Sequence, residues 1–404
     1  MAGEGHDHRK PLTLAPDGRR ANGKRGCQKI AGGIETCDGS GFGTLHMKIG
    51  LAQINTTVGD LAGNGRKVRE AYAALVAAGA ELVVYPEMVL TGYPPRDLLF
   101  KSRFVTDTEA ELAAVAAAVG DVPAVVGTVT RNTGTGRPFF NAAAWCRRGR
   151  VEAVGRKSLL PTYDVFDEDR YFEPAESVTL VEWDGRRVAL TICEDLWAES
   201  PLAGRVRYRR DPVAEAAAAR PDLLLNLSAS PWHRGKGGMR ESLVAAAARR
   251  VGCPVVYCNL VGGNDELVFD GHSLAYLPDG RRRAGLAGFA EELQVADLGP
   301  GAAPYQSPRF SQEVWADVQD ALVLGLRDYA HKSGFRHALL GLSGGIDSAL
   351  TAVLAVRALG AENVTGVSLP SAISSDHSRS DAEELAHNLG IRYLSLPIAG
   401  VVEA

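Results

Sequence analysis

The chain has 404 residues, with 44 Lys and Arg against 48 Asp and Glu and a formal net charge of −4; 46 % of the residues are hydrophobic and 23 % charged. That is ordinary globular composition, long enough for two or three domains with full cores. It argues against a large sequence-independent nucleic-acid footprint, which needs a basic surplus, and against a membrane span, because no apolar run approaches ~20 residues.

Residues 1–46 are rich in Gly, Lys, Arg and His and lack apolar periodicity, so they are expected to be a disordered extension. Met47 opens a clean strand pattern, MKIGLAQIN, and an over-long start with Met47 as the true initiator is the other reading of that extension. From there strands and helices alternate. KIGLAQI, ELVVYPE and PAVVGTV read as strands; NGRKVREAYAALVAAGA and FVTDTEAELAAVAAAVG read as the helices between them. NAAAWC and RVEAVGRKSLL suggest a hairpin. RRVALTIC, PDLLLNLS and PVVYCNL are strands again, separated by the helices DPVAEAAAAR and ESLVAAAARRVG. This alternation predicts a layered α/β domain over 47–297. Residues 298–312, GPGAAPYQSPRFSQE, read as a linker. A second α/β unit over 313–404 has only about two β–α repeats, short for a doubly wound domain, and is expected to be truncated.

The six cysteines fit neither a C-x-x-C metal site nor a disulfide scaffold, so a reducing cytoplasm is the expected compartment. Cys146, Cys253 and Cys258 lie in apolar strand patterns and read as core. Cys193 differs, because it closes RRVALTIC and is followed by Glu194 and Asp195. Glu87 and Lys157 also stand at predicted strand ends, the edge where α/β sheets bind ligands. A thiol nucleophile needs a base and an oxyanion donor, roles open to Glu87 and Lys157. Residue chemistry alone also allows a solvated Glu cap, a surface Lys and a core Cys.

A second motif, LLGLSGGIDSAL, places a Gly-rich turn between a strand and a helix. Backbone N–H groups of Ser343, Gly344 and Gly345 at a helix N-terminus suit phosphate oxygens, and Ser343 and Ser348 add hydroxyls. Asp347 beside a phosphate implies an intervening Mg²⁺. No Lys follows in the Walker position. Taken alone, a Gly-Gly turn opening a helix is more often only a turn.

YPEMVLTGYPPRDLL, GRKSLLPTYDVFDEDRYFEP and TICEDLW, in this order, resemble the three signature segments of the nitrilase superfamily. More narrowly they resemble the glutaminase domain of the glutamine-dependent NAD synthetases. The resemblance implies an αββα sandwich over 47–297, with Glu87 as general base, Lys157 as oxyanion stabiliser and Cys193 as nucleophile. It further implies a glutamine pocket of Tyr93, Tyr163, Phe166, Glu168, Ser230 and Lys236. Trp232 and His233 are expected to be loop structure, and simple packing stays open for the aromatic residues.

SGGIDS resembles the pyrophosphate loop of the N-type ATP pyrophosphatases. LPSAISSDHSRSDAEELAHNLGI is similar to the following NAD synthetase segment, with Leu369, Pro370 and Ser371 near the adenosine. This implies ATP binding at Gly341, Leu342, Ser343, Gly344, Gly345, Ile346, Asp347 and Ser348, with Asp347 on Mg²⁺. Glutamine, ATP and deamido-NAD are the implied substrates, and a homo-oligomer the implied assembly. The family's synthetase domain runs on beyond residue 404, so its remaining contacts are expected downstream and the chain is expected not to form NAD by itself. Two other readings remain: a stand-alone nitrilase-type amidase, and a non-enzymatic assembly subunit.

Overall fold

A computed structural model describes residues 47–199, 208–299, 302, 314–371, 373–398 and 400. The expected N-terminal extension lies outside the described residues, as does most of the expected linker.

The chain begins β1 (Lys48–Gln53), α1 (Leu61–Ala77), β2 (Leu82–Val84), α2 (Phe104–Ala117) and β3 (Ala124–Arg131), followed by the hairpin β4 (Phe139–Arg147) and β5 (Arg150–Arg156). The hairpin β6 (Thr179–Trp183) and β7 (Arg186–Ile192) comes next, then α3 (Pro212–Ala219), β8 (Leu223–Ser228), α4 (Lys236–Val251) and β9 (Val255–Asn259). Five short strands close this part: β10 (Val261–Asn264), β11 (Leu267–Asp270), β12 (Leu274–Tyr276), β13 (Arg282–Gly285) and β14 (Glu292–Asp297). The remainder is α5 (Val314–Lys332), β15 (Ala338–Gly341), α6 (Ile346–Leu359), β16 (Val364–Ser368), α7 (Asp376–Leu389) and β17 (Arg392–Ser395).

Two six-stranded sheets form, in the orders β14-β1-β2-β3-β4-β5 and β13-β12-β9-β8-β7-β6. Each has a parallel centre (β1, β2, β3; β7, β8, β9) flanked by antiparallel strands. The sheets pack face to face over Leu51, Val84, Trp145, Leu190, Leu225 and Val256. Their other faces are covered by α1 and α2 on one side and α3 and α4 on the other. That is the four-layer αββα sandwich. Central strands such as LVV and LLLNLS are buried throughout because helices or the second sheet cover both faces.

The two sheets share one topology, an internal repeat that is not visible as sequence self-similarity. Strands β10 to β13 escape a sequence reading because each has only three or four residues, and β14 mixes exposed, half-buried and buried positions without a clean period of two; β6 alternates but is also missed. The later elements form a three-stranded parallel sheet, β15-β16-β17, with α6 and α7 as crossovers. Helix α5 lies against β10 and β11 of the sandwich.

Candidate functional site

Cys193 directly follows β7 and begins a single tight turn, Cys193–Leu196. Its φ of +42° is left-handed, which costs a side-chain-bearing residue ~1–2 kcal/mol. Glu87 lies three residues beyond β2. Its loop crosses β3 at Gly127, where a Cβ would collide with the Pro86 carbonyl and the Met88 amide nitrogen. Lys157 directly follows β5, and its N–H donates to the Asn141 carbonyl (2.9 Å), which fixes it against β4.

The side chains converge in the interior. Lys157 Nζ donates to Glu87 Oε1 (2.8 Å) and to Glu168 Oε1 (2.7 Å). Glu87 also accepts from Asn141 Nδ2 at Oε1 (2.6 Å) and from the Ala229 N–H at Oε2 (2.9 Å). Tyr93 Oη donates to Glu168 Oε1 (2.8 Å). Glu87 and Lys157 are each 1 % exposed, Glu168 4 % and Cys193 5 %, so these charges act with little water between them.

Burial would lower the Lys157 ammonium, but Glu168 and Glu87 outweigh it and hold it well above the ordinary lysine range. Burial and the Glu87 carboxylate push the Cys193 thiol well up, against the opposing effect of Lys157. The resting thiol is therefore protonated. Burial pushes Glu168 up to about 7, although Lys157 opposes the rise.

Of the residues expected to line an amino-acid pocket, Tyr93 and Glu168 belong to this hydrogen-bonded cluster. Glu168 Oε2 is buried without a hydrogen-bond partner. Tyr163 Oη donates to Glu194 (3.0 and 3.1 Å to its two oxygens), and its ring meets Phe166 edge-on at 5.3 Å. Tyr208 Oη donates to the same Glu194 (2.8 Å). The Ser230 N–H donates to Asn259 Oδ1 (2.9 Å). Lys236 Nζ donates to the Pro231 carbonyl (2.6 Å) and lies 5.8 Å from the Trp197 ring centre. Burial, helped by Arg240, pulls it down to about 8. A cavity of about 500 Å³ opens beside the cluster, lined by Tyr93, Phe166, Glu168 and Arg170 among others. Trp232 packs edge-on against Phe289, and His233 is exposed.

Sequence reasoning missed Asn141, Glu194, Asp195, Tyr208 and the Ala229 amide. A lone Asn inside the apolar run FFNAAAWC was a signal for the first, and the acidic pair after Cys193 for the next two. A backbone donor such as Ala229 leaves no trace in residue type.

The Gly-rich loop joins β15 to α6. Gly344 has φ +78°, and a Cβ there would strike the Ser378 backbone at the start of α7, so glycine is required twice over. Ser348 Oγ donates to the Gly345 carbonyl (2.9 Å) and lies 3.2 Å from Ser343 Oγ. Leu342 is buried, while Ile346 and Asp347 are exposed at the helix start. A cavity of about 260 Å³ lies at this loop, lined by Ser343, Ser368, Leu369, Pro370, Ser378 and Arg379 among others. Ser371 is tied back by Ser374 Oγ, which accepts its N–H (3.0 Å).

The carbon-nitrogen hydrolase family model matches residues 48–303, and the NAD synthase model matches 318–404. The glutamine-dependent NAD(+) synthetase of Synechocystis sp. is 41 % identical over 362 residues, covering 88 % of this chain and 65 % of that protein. The chain thus spans about two thirds of the length of that relative. Among solved structures, the glutamine-dependent NAD+ synthetase of Acinetobacter baumannii, in complex with adenosine diphosphate, superposes with TM-score 0.82 at 32 % identity, covering 89 % of this chain and 66 % of that one. An amidase of the nitrilase superfamily from Nesterenkonia superposes with TM-score 0.54 at 25 % identity, covering 63 % of this chain and 91 % of that one. With a carbon-nitrogen hydrolase sandwich followed by an NAD synthase segment, the chain belongs to the glutamine-dependent NAD(+) synthetase family.

Proposed function

We propose that the sandwich hydrolyses the side-chain amide of glutamine at Cys193, and that the ammonia serves an ATP-dependent amidation of deamido-NAD to NAD. The observation that carries the first half is the buried Glu87–Lys157–Glu168 cluster around a cysteine held in a left-handed turn. Glu87 takes the thiol proton as Sγ bonds to the amide carbon. Lys157 stabilises the oxyanion. The C–N bond then breaks, the proton leaves with ammonia, and water cleaves the glutamyl thioester to glutamate.

For recognition, the free Glu168 Oε2 accepts an N–H of the substrate, and Tyr163 and Phe166 wall the pocket. Ser230 and Lys236 take the α-carboxylate, Lys236 giving up its bond to Pro231.

For the second half, the SGGIDS loop and two converging helix N-termini would receive the ATP phosphates. Among the described residues, no group of three or more His, Cys, Asp or Glu side chains could hold a metal by itself. Mg²⁺ bound mainly through phosphate oxygens needs only one or two carboxylates, and Asp347 in the first turn of α6 fits that need. The ion would neutralise phosphate charge there. A cytoplasmic homo-oligomer is part of the same reading. No helix among the described residues is long and apolar enough to cross a membrane.

The test is glutamate release by the chain and by Cys193→Ala, against a panel of simple amides. Release from glutamine that disappears in the variant supports the reading. Turnover of simple amides without glutamine would replace it with a general amidase.

A further inference from the structure

Asp195 is a buried acid two residues beyond Cys193 to which the mechanism above gives no part. This side chain is 1 % exposed and has no ion-pair partner among the described residues, yet it makes three hydrogen bonds. Its Oδ2 accepts the Ile192 N–H (2.9 Å), and its Oδ1 accepts the N–H groups of Ser158 (3.0 Å) and Leu159 (2.9 Å). Ile192 directly precedes the nucleophile, and Ser158 directly follows the catalytic lysine. The two catalytic residues come from different sheets, Lys157 from the edge strand β5 of one and Cys193 from β7 of the other. One carboxylate therefore joins the backbone on which the nucleophile sits to the backbone on which the oxyanion donor sits.

We propose that Asp195 is a positioning residue that sets the distance and angle between Cys193 Sγ and Lys157 Nζ by clamping the two strand ends together. The inference rests on the assignment of Cys193 and Lys157 as the reacting pair. Three observations carry it. First, all three donors are backbone N–H groups, so the clamp fixes main chain and not merely a rotamer. Second, Cys193 sits in a left-handed conformation that persists only where its surroundings hold it, and the Ile192–Asp195 bond closes the turn around it. Third, the bonds to Ser158 and Leu159 supplement the Lys157 N–H bond to Asn141, so the lysine is fixed from its own sheet and from the opposite one. An acceptor-only group is required. An amide at this position offers one oxygen to donors arriving on two sides and turns an N–H₂ toward the third. Burial pushes Asp195 up to about 7, and its three hydrogen bonds, all made to the carboxylate as acceptor, oppose that rise.

The experiment compares the full chain with Asp195→Asn and Asp195→Glu, and with Leu75→Ala, a core control in the α1 layer far along the fold from the turn. Three quantities are read: kcat and KM for glutamine, the rate of Cys193 alkylation by iodoacetamide followed by peptide mass mapping, and the melting temperature. A misplacement of ~1 Å costs ~100-fold in rate, so Asp195→Asn is expected to lose kcat by about that factor, with KM changed less than ~3-fold. Cys193 alkylation should slow by at least ~10-fold on the same reasoning. Asp195→Glu keeps the charge but lengthens the arm and should fall between. Leu75→Ala should lower the melting temperature while keeping kcat.

Wild-type kcat in Asp195→Asn would overturn the proposal, as would a loss of kcat in Leu75→Ala equal to that in Asp195→Asn. If Asp195→Asn does not fold, Asp195→Glu decides, and unchanged kcat and alkylation there overturn the clamp. If the wild-type chain leaves glutamine intact, the glutaminase reading fails. The alkylation rate then still reports whether Asp195 sets the environment of Cys193, and an unchanged rate in both variants overturns the proposal.

Discussion

At the scale of single residues, two carboxylates share one ammonium at this site. Glu87 and Glu168 both accept from Lys157 Nζ, and Glu168 is pushed up to about 7, chiefly by burial. Protonating Glu168 removes one of the two charges that hold Lys157. Glutamine hydrolysis is therefore expected to fall as pH drops through about 7, and Glu168→Gln should make that limb shallower, the remainder belonging to Asp195, while lowering kcat by ~100-fold. A pH–rate profile of the two proteins checks this, and a variant with the wild-type profile would refute it.

A second buried pair acts on stability. Burial alone would raise Asp270, but Arg240 and His272 outweigh it and hold its carboxyl well below the usual range. A depressed carboxylate contributes stability above its unfolded value near 3.9, and that contribution is lost as pH falls toward the folded value. Arg240→Met leaves the Asp270 charge buried opposite only His272, at a cost of about 3–5 kcal/mol at pH 7. Its melting temperature should also lose part of the wild-type decline between pH 5 and 3. Thermal melts across that range give the comparison.

At the scale of elements, the proposed catalytic residues were legible through the three segments that resemble the nitrilase signatures; the apolar strands ELVVYPE and RRVALTIC also mark their own ends, whereas VEAVGRK, with three charged residues in seven, does not. The partners that tune them were not legible. Asn141 lies inside a strand, the Ala229 donor is main chain, and Glu168 opens a short helical turn, Glu168–Arg170, whose return to Lys157 depends on tertiary packing. The family resemblance implied a substrate contact for Glu168, and its bond to Lys157 shows only in three dimensions. The short strands β10 to β13 were equally hidden, although β11 carries Phe269 edge-on against Tyr93 at 5.9 Å and so supports the Glu168 side of the cluster.

Gly127 shows how one strand position serves the site. A methyl group there meets backbone on the Glu87 loop and not a flexible side-chain end, so the loop must move. Gly127→Ala is expected to cost about 1–3 kcal/mol in stability and to reduce glutamine hydrolysis more than ~10-fold, because the displaced residue is the proposed base, Glu87. Denaturant unfolding together with initial rates would test both parts. A variant destabilised but fully active would break the link between β3 and the base.

At the scale of the whole molecule, the two sheets of the sandwich repeat one topology and bring equivalent strand ends together. Glu87 after β2 accepts the N–H of Ala229 after β8, so the site sits where the two halves meet. Helix α5 leads from the sandwich toward the Gly-rich loop and is fastened by a buried polar cluster. Asp328 Oδ2 accepts from Asn55 Nδ2 (2.7 Å) and the Gly263 N–H (2.8 Å). Lys332 Nζ donates to Asn55 Oδ1 (2.7 Å) and to the carbonyls of Thr56 and Gly263 (both 2.8 Å), and lies 3.2 Å from Asp328. The backbones approach closely because Gly263 faces Gly325, where a Cβ on Gly263 would stand 3.1 Å from the Gly325 Cα. Asp328→Ala leaves the largely buried Lys332 ammonium without its acid, and about 3 kcal/mol of stability is expected to be lost. Limited proteolysis should then cut within α5 earlier than in the wild type. Unchanged cleavage would mean that apolar packing alone holds the helix.

The central claim is that Cys193 is the atom to which the glutamine side chain becomes attached. Acid quenching of the chain during turnover of glutamine, followed by peptide mass mapping, tests it directly. A glutamyl adduct on the Cys193 peptide, absent in Cys193→Ala, is the predicted result. Glutamate release accompanied by an adduct on another residue, or persisting in Cys193→Ala, would contradict it.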